Sequence, residues 1–294
     1  MDLSELTDVP LRGDYASAGP DFVKQQDWAA YTAEDHALWR SLYRNRLALR
    51  PHMARPLQQA IETLDMAGAI PRLEAVSERL AKATGWRLVA VPGLIPNDAF
   101  FGHLAARRFP VTDWIREPAE ADYLVEPDIF HDFFGHVPLL FEPAYADYMA
   151  AYGALGRACA PAEVDALTRL YWYVVEFGLV IEDGAFKAFG AGIVSSAAET
   201  MFATTSPSPH RLGFDVDRIL RTHYRIDDFQ QTYFVLDGLE QLTEVDPKGL
   251  AGRLRTAALA EPIAPDALRP GDRIISRGDQ SHAHRRGDEG AGDA

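Results

Sequence analysis

A mainly α fold, one compact helical domain with a few short peripheral β-strands, is what this sequence predicts. Three observations carry that expectation. Apolar residues recur at helical spacing through most of the middle of the chain, strand-like runs are few and short, and no linker-like stretch interrupts residues 23–275. Thr32 is placed to cap a first helix, with Glu34 and Asp35 in its opening turn and Leu38, Leu42, Leu47 and Leu49 at helical spacing behind them. Leu57, Ile61 and Leu64 form a second stripe closed by Gly68. Leu73, Val76 and Leu80 form a third, closed by Gly85. Asn97 is a candidate cap for a helix carrying Phe100, Phe101 and Leu104, and the longest helical stretch, over about 162–182, contains no proline. Strands are expected at 86–91, 187–189 and 233–236.

The chain has 294 residues, of which 43 are acidic and 29 basic, for a net charge of −14. That surplus argues against nucleic acid or a membrane surface as partner, since both need a basic face. Hydrophobic residues at 47% and charged residues at 24% suit a folded protein with a sizeable core. The single cysteine, Cys159, excludes an intramolecular disulfide framework and fits a reducing compartment. The start, MDLSELTDVPLRGDY, lacks the basic residues and apolar run of a secretory signal, so a cytoplasmic protein is expected. Residues 1–22 read as an extended arm, 23–275 as one compact domain, and 276–294 as a disordered tail in which His282 and His284 are solvated.

The most informative segment is EPDIFHDFFGHVPLLF, residues 126–141. His131 and His136 lie five apart, which in an unbroken α-helix projects them about 140° from each other. A helix ending near Phe134, stopped by Gly135 and Pro138, lets His136 swing back toward His131. A third ligand is expected from Glu176, which sits among Trp172, Val174, Val175, Phe177 and Leu179. An ionised carboxylate in such company needs a cation or a proton. Two histidines and one carboxylate make the facial triad of non-haem Fe(II) enzymes, with coordination positions left open. The zinc-protease spacing H-E-x-x-H is absent, because the histidines are one residue too far apart and Asp132 stands where Glu would.

At these residues the sequence resembles the aromatic amino acid hydroxylases, the tetrahydropterin-dependent iron monooxygenases. The resemblance rests on EPDIFHDFFGHVPLL, YWYVVEFGL (171–179) and FGAGIVSS (189–196) in that order. It extends through VPGLIPNDAFFGHLAARRFPVTDWIR (91–116) and YRIDDFQQTYFVLD (224–237), and is strongest with the short bacterial members. It implies Fe(II) and a tetrahydropterin as cofactors, and 4-hydroxylation of L-phenylalanine by O2 as the activity. It implies His131, His136 and Glu176 as iron ligands. Arg116 falls on the arginine that grips the substrate carboxylate, a task suited to a planar guanidinium fork. Ser195 matches a serine near the iron histidine and the substrate, and Pro127, Trp172 and Phe177 match the walls around the substrate ring. Ile226 falls at the substrate mouth, where an apolar residue goes with phenylalanine and an acidic one with tyrosine. Phe100 matches the aromatic that stacks on the pterin, Gly93 and Ile95 the backbone that bonds its edge, Asp132 an acidic position near it, and Tyr171 a tyrosine beside the triad. Leu124 departs from the family, standing where animal members carry a threonine that supports the substrate-binding arginine. No heptad-bearing C-terminal helix is evident, so a monomer is expected. Tyrosine or tryptophan as substrate, and a His2Glu zinc hydrolase, are the competing readings.

Overall fold

The computed structural model describes residues 12–121, 126–245 and 247–282. Thr32 opens α1 (Ala33–Leu47): its hydroxyl accepts from the Asp35 amide, and the Asp35 carboxylate accepts in return from the Thr32 amide at 2.8 Å. The expected stripe of α2 (Arg55–Leu64) is buried, but Asp65 in the left-handed conformation ends it rather than Gly68. α3 (Leu73–Ala83) buries Leu73, Val76 and Leu80, and Gly85 at φ 78° then turns the chain into β1 (Arg87–Val91). Asn97 is the first residue of α4 (Asn97–Ala105), with Pro96 in the capping position. β2 (Arg108–Thr112) lies parallel to β1 in a two-stranded sheet that tolerates Pro110 because both strands are edges.

The second half contains α5 (Pro143–Ala158), α6 (Pro161–Tyr171), β3 (Leu179–Glu182), β4 (Ala185–Ala188), α7 (Ala191–Val194), α8 (Ala197–Thr205), β5 (His210–Gly213), α9 (Val216–Arg221), β6 (Thr232–Leu236), α10 (Pro247–Leu259) and β7 (Ile274–Ser276). The stretch expected as the longest helix instead stops at Glu176 and becomes β3; α5, at 16 residues, is longer than α6. Helix makes up about 52% of the structure and strand 13%, so the mainly α expectation stands at that level. The strands, however, are not all peripheral. The larger sheet runs β4-β3-β6-β5-β7, and every residue of β5 and β6 is buried. β6 is paired in parallel along both edges and buried on both faces, which is why it reads as the near-continuous apolar run YFVL rather than alternating. β5 was invisible for the opposite reason: its buried Arg211 gives it no apolar pattern, and the carbonyls of Phe202, Ala203 and Ser206 satisfy that guanidinium.

The two terminal segments are tied to the rest of the chain where they are described. Residues 12–22 are held by polar contacts. Tyr15 donates to the Leu94 carbonyl at 2.9 Å, Arg12 pairs with Glu120, and the Asp21 carbonyl meets His103 Nε2 at 2.8 Å. Residues 276–282 are not a disordered tail. The Gly278 amide donates to His210 Nδ1 at 2.9 Å, Gln280 Nε2 to the Gln231 carbonyl at 3.0 Å, and His282 Nε2 lies 2.8 Å from Asp228 Oδ1. Polar composition hid this docking, because the segment is held by hydrogen bonds rather than by apolar burial. Residues 1–11 and 283–294, with His284, lie outside the described residues, as does Leu124.

Candidate metal centre

The turn His131–His136 is π-helical. Each backbone bond in such a turn spans five residues, so side chains five apart come to lie nearly over one another. The expected helix stop at Gly135 is therefore replaced by a widened turn that keeps both histidines on one face. Gly135 serves close packing instead, since a Cβ there would meet Ala191 Cβ at 2.8 Å and Ala191 Cα at 3.0 Å. Aromatic packing holds the turn in place. Phe130 stacks on Phe134 with centroids 5.1 Å apart, while Trp39 and Tyr43 of α1 meet Phe130, Phe133 and Phe134 edge-on.

A second π-helical turn, Trp172–Glu176, continues α6 and delivers the carboxylate. His136 Nε2 lies 3.2 Å from Glu176 Oε1 and His131 Nε2 3.6 Å from Glu176 Oε2. One ligand atom from each of the three side chains lies within 4.8 Å of the others. Ligands at right angles around a metal about 2.1 Å away are about 3 Å apart, so a modest contraction closes this set around an ion.

Ser195 decides which nitrogen of His131 is available. Its hydroxyl hydrogen goes to the Ala191 carbonyl at 2.7 Å, so the oxygen accepts from His131 Nδ1–H at 2.9 Å. The Nε2 lone pair is then left facing Glu176, the form in which a histidine binds a metal. Burial, helped by nearby His136, pushes His131 down to about 4, which keeps it neutral. Burial also pushes the Glu176 carboxyl up, but His136 and His131 outweigh it and hold the group below its ordinary value. A neutral histidine beside an ionised carboxylate in an apolar wall leaves a negative site suited to a divalent cation.

Asp128 is the residue that sequence reasoning missed. Fully buried, it accepts from Arg116 N (2.9 Å), Nε (2.8 Å) and Nη2 (2.8 Å), and from the His131 amide at 2.9 Å. No sequence signal pairs it with Arg116, because both lie in mixed polar segments, DWIREP and EPDIFHD, where a charge is unremarkable. The side-on fork of Arg116 is thus taken. Its outer edge, carrying Nη1, has no partner among the described residues and remains open to a second carboxylate.

The remaining expected residues fall around this centre unevenly. Phe100 meets Tyr171 edge-on at 5.5 Å, and Tyr171 lies 6.3 Å from the His136 ring, an unbroken aromatic path. Asp132 accepts from the Thr112 amide at 2.8 Å, and burial raises its carboxyl to about 7. Trp172 and Phe177 pack with centroids 4.7 Å apart, and Pro127 is half-buried beside Asp128. Gly93 has φ 155°, and a Cβ there would strike the Glu126 carboxylate at 2.4 Å and the Tyr15 hydroxyl at 2.9 Å. Glycine at 93 is therefore required by the protein's own packing. Ile95 is half-buried on the same loop, and Ile226 is 63% exposed on the loop after α9.

A largely helical scaffold bringing two histidines and a carboxylate together on one face is the architecture of a non-haem metal-dependent enzyme. The profile of the biopterin-dependent aromatic amino acid hydroxylases matches residues 23–247. The phenylalanine-4-hydroxylase of Caulobacter vibrioides is 46% identical over 269 residues, covering 90% of this chain and 92% of that one. Phenylalanine hydroxylase from Chromobacterium violaceum, solved with iron(III) and 7,8-dihydrobiopterin, superposes with a TM-score of 0.84 at 45% identity, covering 94% and 99% of the two chains. The iron- and phenylalanine-bound form of that enzyme gives 0.82 at 44% identity, over 94% and 100%. The chain belongs to the biopterin-dependent aromatic amino acid hydroxylase family.

Proposed function

We propose that this chain is a phenylalanine 4-monooxygenase, converting L-phenylalanine to L-tyrosine with O2 and a tetrahydropterin at a non-haem iron. The observation that carries this reading is the convergence of His131, His136 and Glu176, with Arg116 tied to the His131 amide through Asp128, in a member of this family. Bound there, Fe(II) and the tetrahydropterin together supply activated oxygen.

The protein's own residues do the rest. His131, His136 and Glu176 occupy one face of the ion and leave the others open. Ser195 holds His131 in its ligating tautomer. Arg116, held side-on by Asp128, turns its outer edge to the substrate's α-carboxylate. Pro127, Trp172 and Phe177 enclose the substrate ring and exclude water, with Ile226 at the mouth. Phe100 offers its face to the pterin, Gly93 and Ile95 their backbone to its edge, and Asp132 a carboxyl that titrates near neutrality beside it. Tyr171 spaces Phe100 from His136. No described helix is long and apolar enough to cross a membrane. A cytoplasmic monomer acting on small molecules, as one domain over 23–275, completes the proposal.

Anaerobic loading with Fe(II), followed by O2, phenylalanine and a tetrahydropterin, should give tyrosine identified by chromatography. Hydrolysis with zinc and no tyrosine with iron would overturn the reading. Phenylalanine should be preferred over tyrosine by about ten- to hundredfold in kcat/KM, since burying an unpaired phenol hydroxyl costs ~1–3 kcal/mol. Arg116→Lys should raise the KM for phenylalanine about tenfold or more while sparing that for pterin, because lysine keeps the charge but loses the planar edge. Equal weakening of both would assign Arg116 a purely structural role.

A further inference from the structure

Gln230 lies outside the residues assigned above, yet its amide is 2% exposed and fully engaged. Its Oε1 accepts from Trp172 Nε1 at 3.1 Å and from the Arg225 amide at 3.4 Å. Its Nε2 donates to the Arg225 carbonyl at 2.7 Å and approaches the Asp228 carbonyl at 3.5 Å. An amide has two donors and two acceptor positions, and all four are directed here. We propose that Gln230 is a positioning residue for the aromatic substrate, holding the Trp172 indole in one orientation and tying it to the loop that carries Ile226. The inference rests on the functional reading above.

The physical case has three parts. The torsion that turns an indole about its Cβ–Cγ bond is broad, so ring contacts alone leave it loosely defined, whereas a hydrogen bond from the ring nitrogen selects one setting. Trp172 stacks on Tyr224 at 4.3 Å and 17° and packs against Phe177 at 4.7 Å, while remaining half-buried, so part of the indole is available to a ligand. Trp172 also opens the π-helical turn that ends in Glu176. Its indole orientation is thereby fixed relative to the metal carboxylate, while Arg225, bonded through both its amide and its carbonyl to the same Gln230 side chain, brings the mouth loop into the same unit.

The test uses the Fe(II)-loaded chain and four variants: Gln230→Leu, Gln230→Glu, Trp172→Phe and the Gln230→Leu/Trp172→Phe double. Gln230→Leu should raise the KM for phenylalanine about five- to tenfold, as expected for a lost buried hydrogen-bond network, with pterin KM and iron affinity unchanged. It should also lower the tyrosine formed per pterin oxidised, because a loosely held ring presents the wrong carbon. Gln230→Glu keeps an oxygen facing Trp172 but replaces the donor at the Arg225 carbonyl by an acceptor, so it should also weaken phenylalanine, by breaking the tie to the mouth loop. In the Trp172→Phe background, which keeps a ring but removes the N–H, adding Gln230→Leu should change the KM by no more than about twofold. Calorimetric binding of phenylalanine to the anaerobic Fe(II) enzyme should follow the same order. Equal effects of Gln230→Leu in both backgrounds, or parallel loss of phenylalanine, pterin and iron binding, would overturn the inference. Should Gln230→Leu fail to fold, Gln230→Glu and Trp172→Phe still decide, because the inference requires each to weaken phenylalanine without weakening pterin. If the unmodified chain forms no tyrosine, the functional reading fails, and calorimetric phenylalanine binding still decides the role of Gln230.

Discussion

Glu176→Gln should abolish tyrosine formation while leaving the chain folded. The substitution preserves shape but removes the one negative charge that a divalent ion needs beside the two histidines. Taking one partner from a buried charge arrangement costs ~3–5 kcal/mol, about two to four orders of magnitude in iron affinity. Apolar packing around the π-helical turns is untouched, since Tyr173, Val174 and Val175 carry the burial of that segment. Metal content after dialysis against a chelator, tyrosine yield and circular dichroism check the three parts separately. A variant that kept its iron and most of its activity would remove Glu176 from the proposed ligand set.

Asp128→Ala should be nearly as damaging, by a different route. Asp128 neutralises a guanidinium that is 5% exposed and bonds the His131 amide, so the substrate arginine and a metal ligand hang from one carboxylate. Without it Arg116 is a buried unpaired cation, again at a cost of ~3–5 kcal/mol. In a chain of this size that corresponds to a fall in melting temperature of about 5–8 °C. The KM for phenylalanine should rise about a hundredfold as Arg116 turns away to find solvent. Asp128→Asn, which keeps an acceptor oxygen without the charge, should fall between the two. An unchanged melting temperature together with an unchanged KM would mean that Arg116 is held by something else.

The contrast between Asp128 and Glu176 shows what was readable in the chain. Glu176 stood out because its sequence neighbours are apolar on nearly every side, and the same argument applied to His131 and His136 led to the metal. Asp128 was overlooked because its partner lies twelve residues away across a turn, and pairing across a turn leaves no periodic trace. The helices of the first hundred residues were legible from their spacing and, for α1, from its cap, since those are local properties of 3.6-residue geometry. β3 and β5 were not: a short buried run cannot be told from a helix segment by periodicity, and a strand filled by an arginine has no apolar pattern at all.

By itself, then, the sequence determined the helical scaffold, the three metal-capable side chains and the residues whose spacing marks the family, because residue type and short-range order carry that information. Only the tertiary structure decided how histidines five apart share a face, through a π-helical turn made possible by the close contact of Gly135 with Ala191. It also decided that Arg116 is held side-on by Asp128, that Ser195 selects the His131 tautomer, and that residues 276–282 dock on the loop below Ile226. Each of these depends on hydrogen bonds between residues distant in the chain, whose geometry exists only once the core has packed.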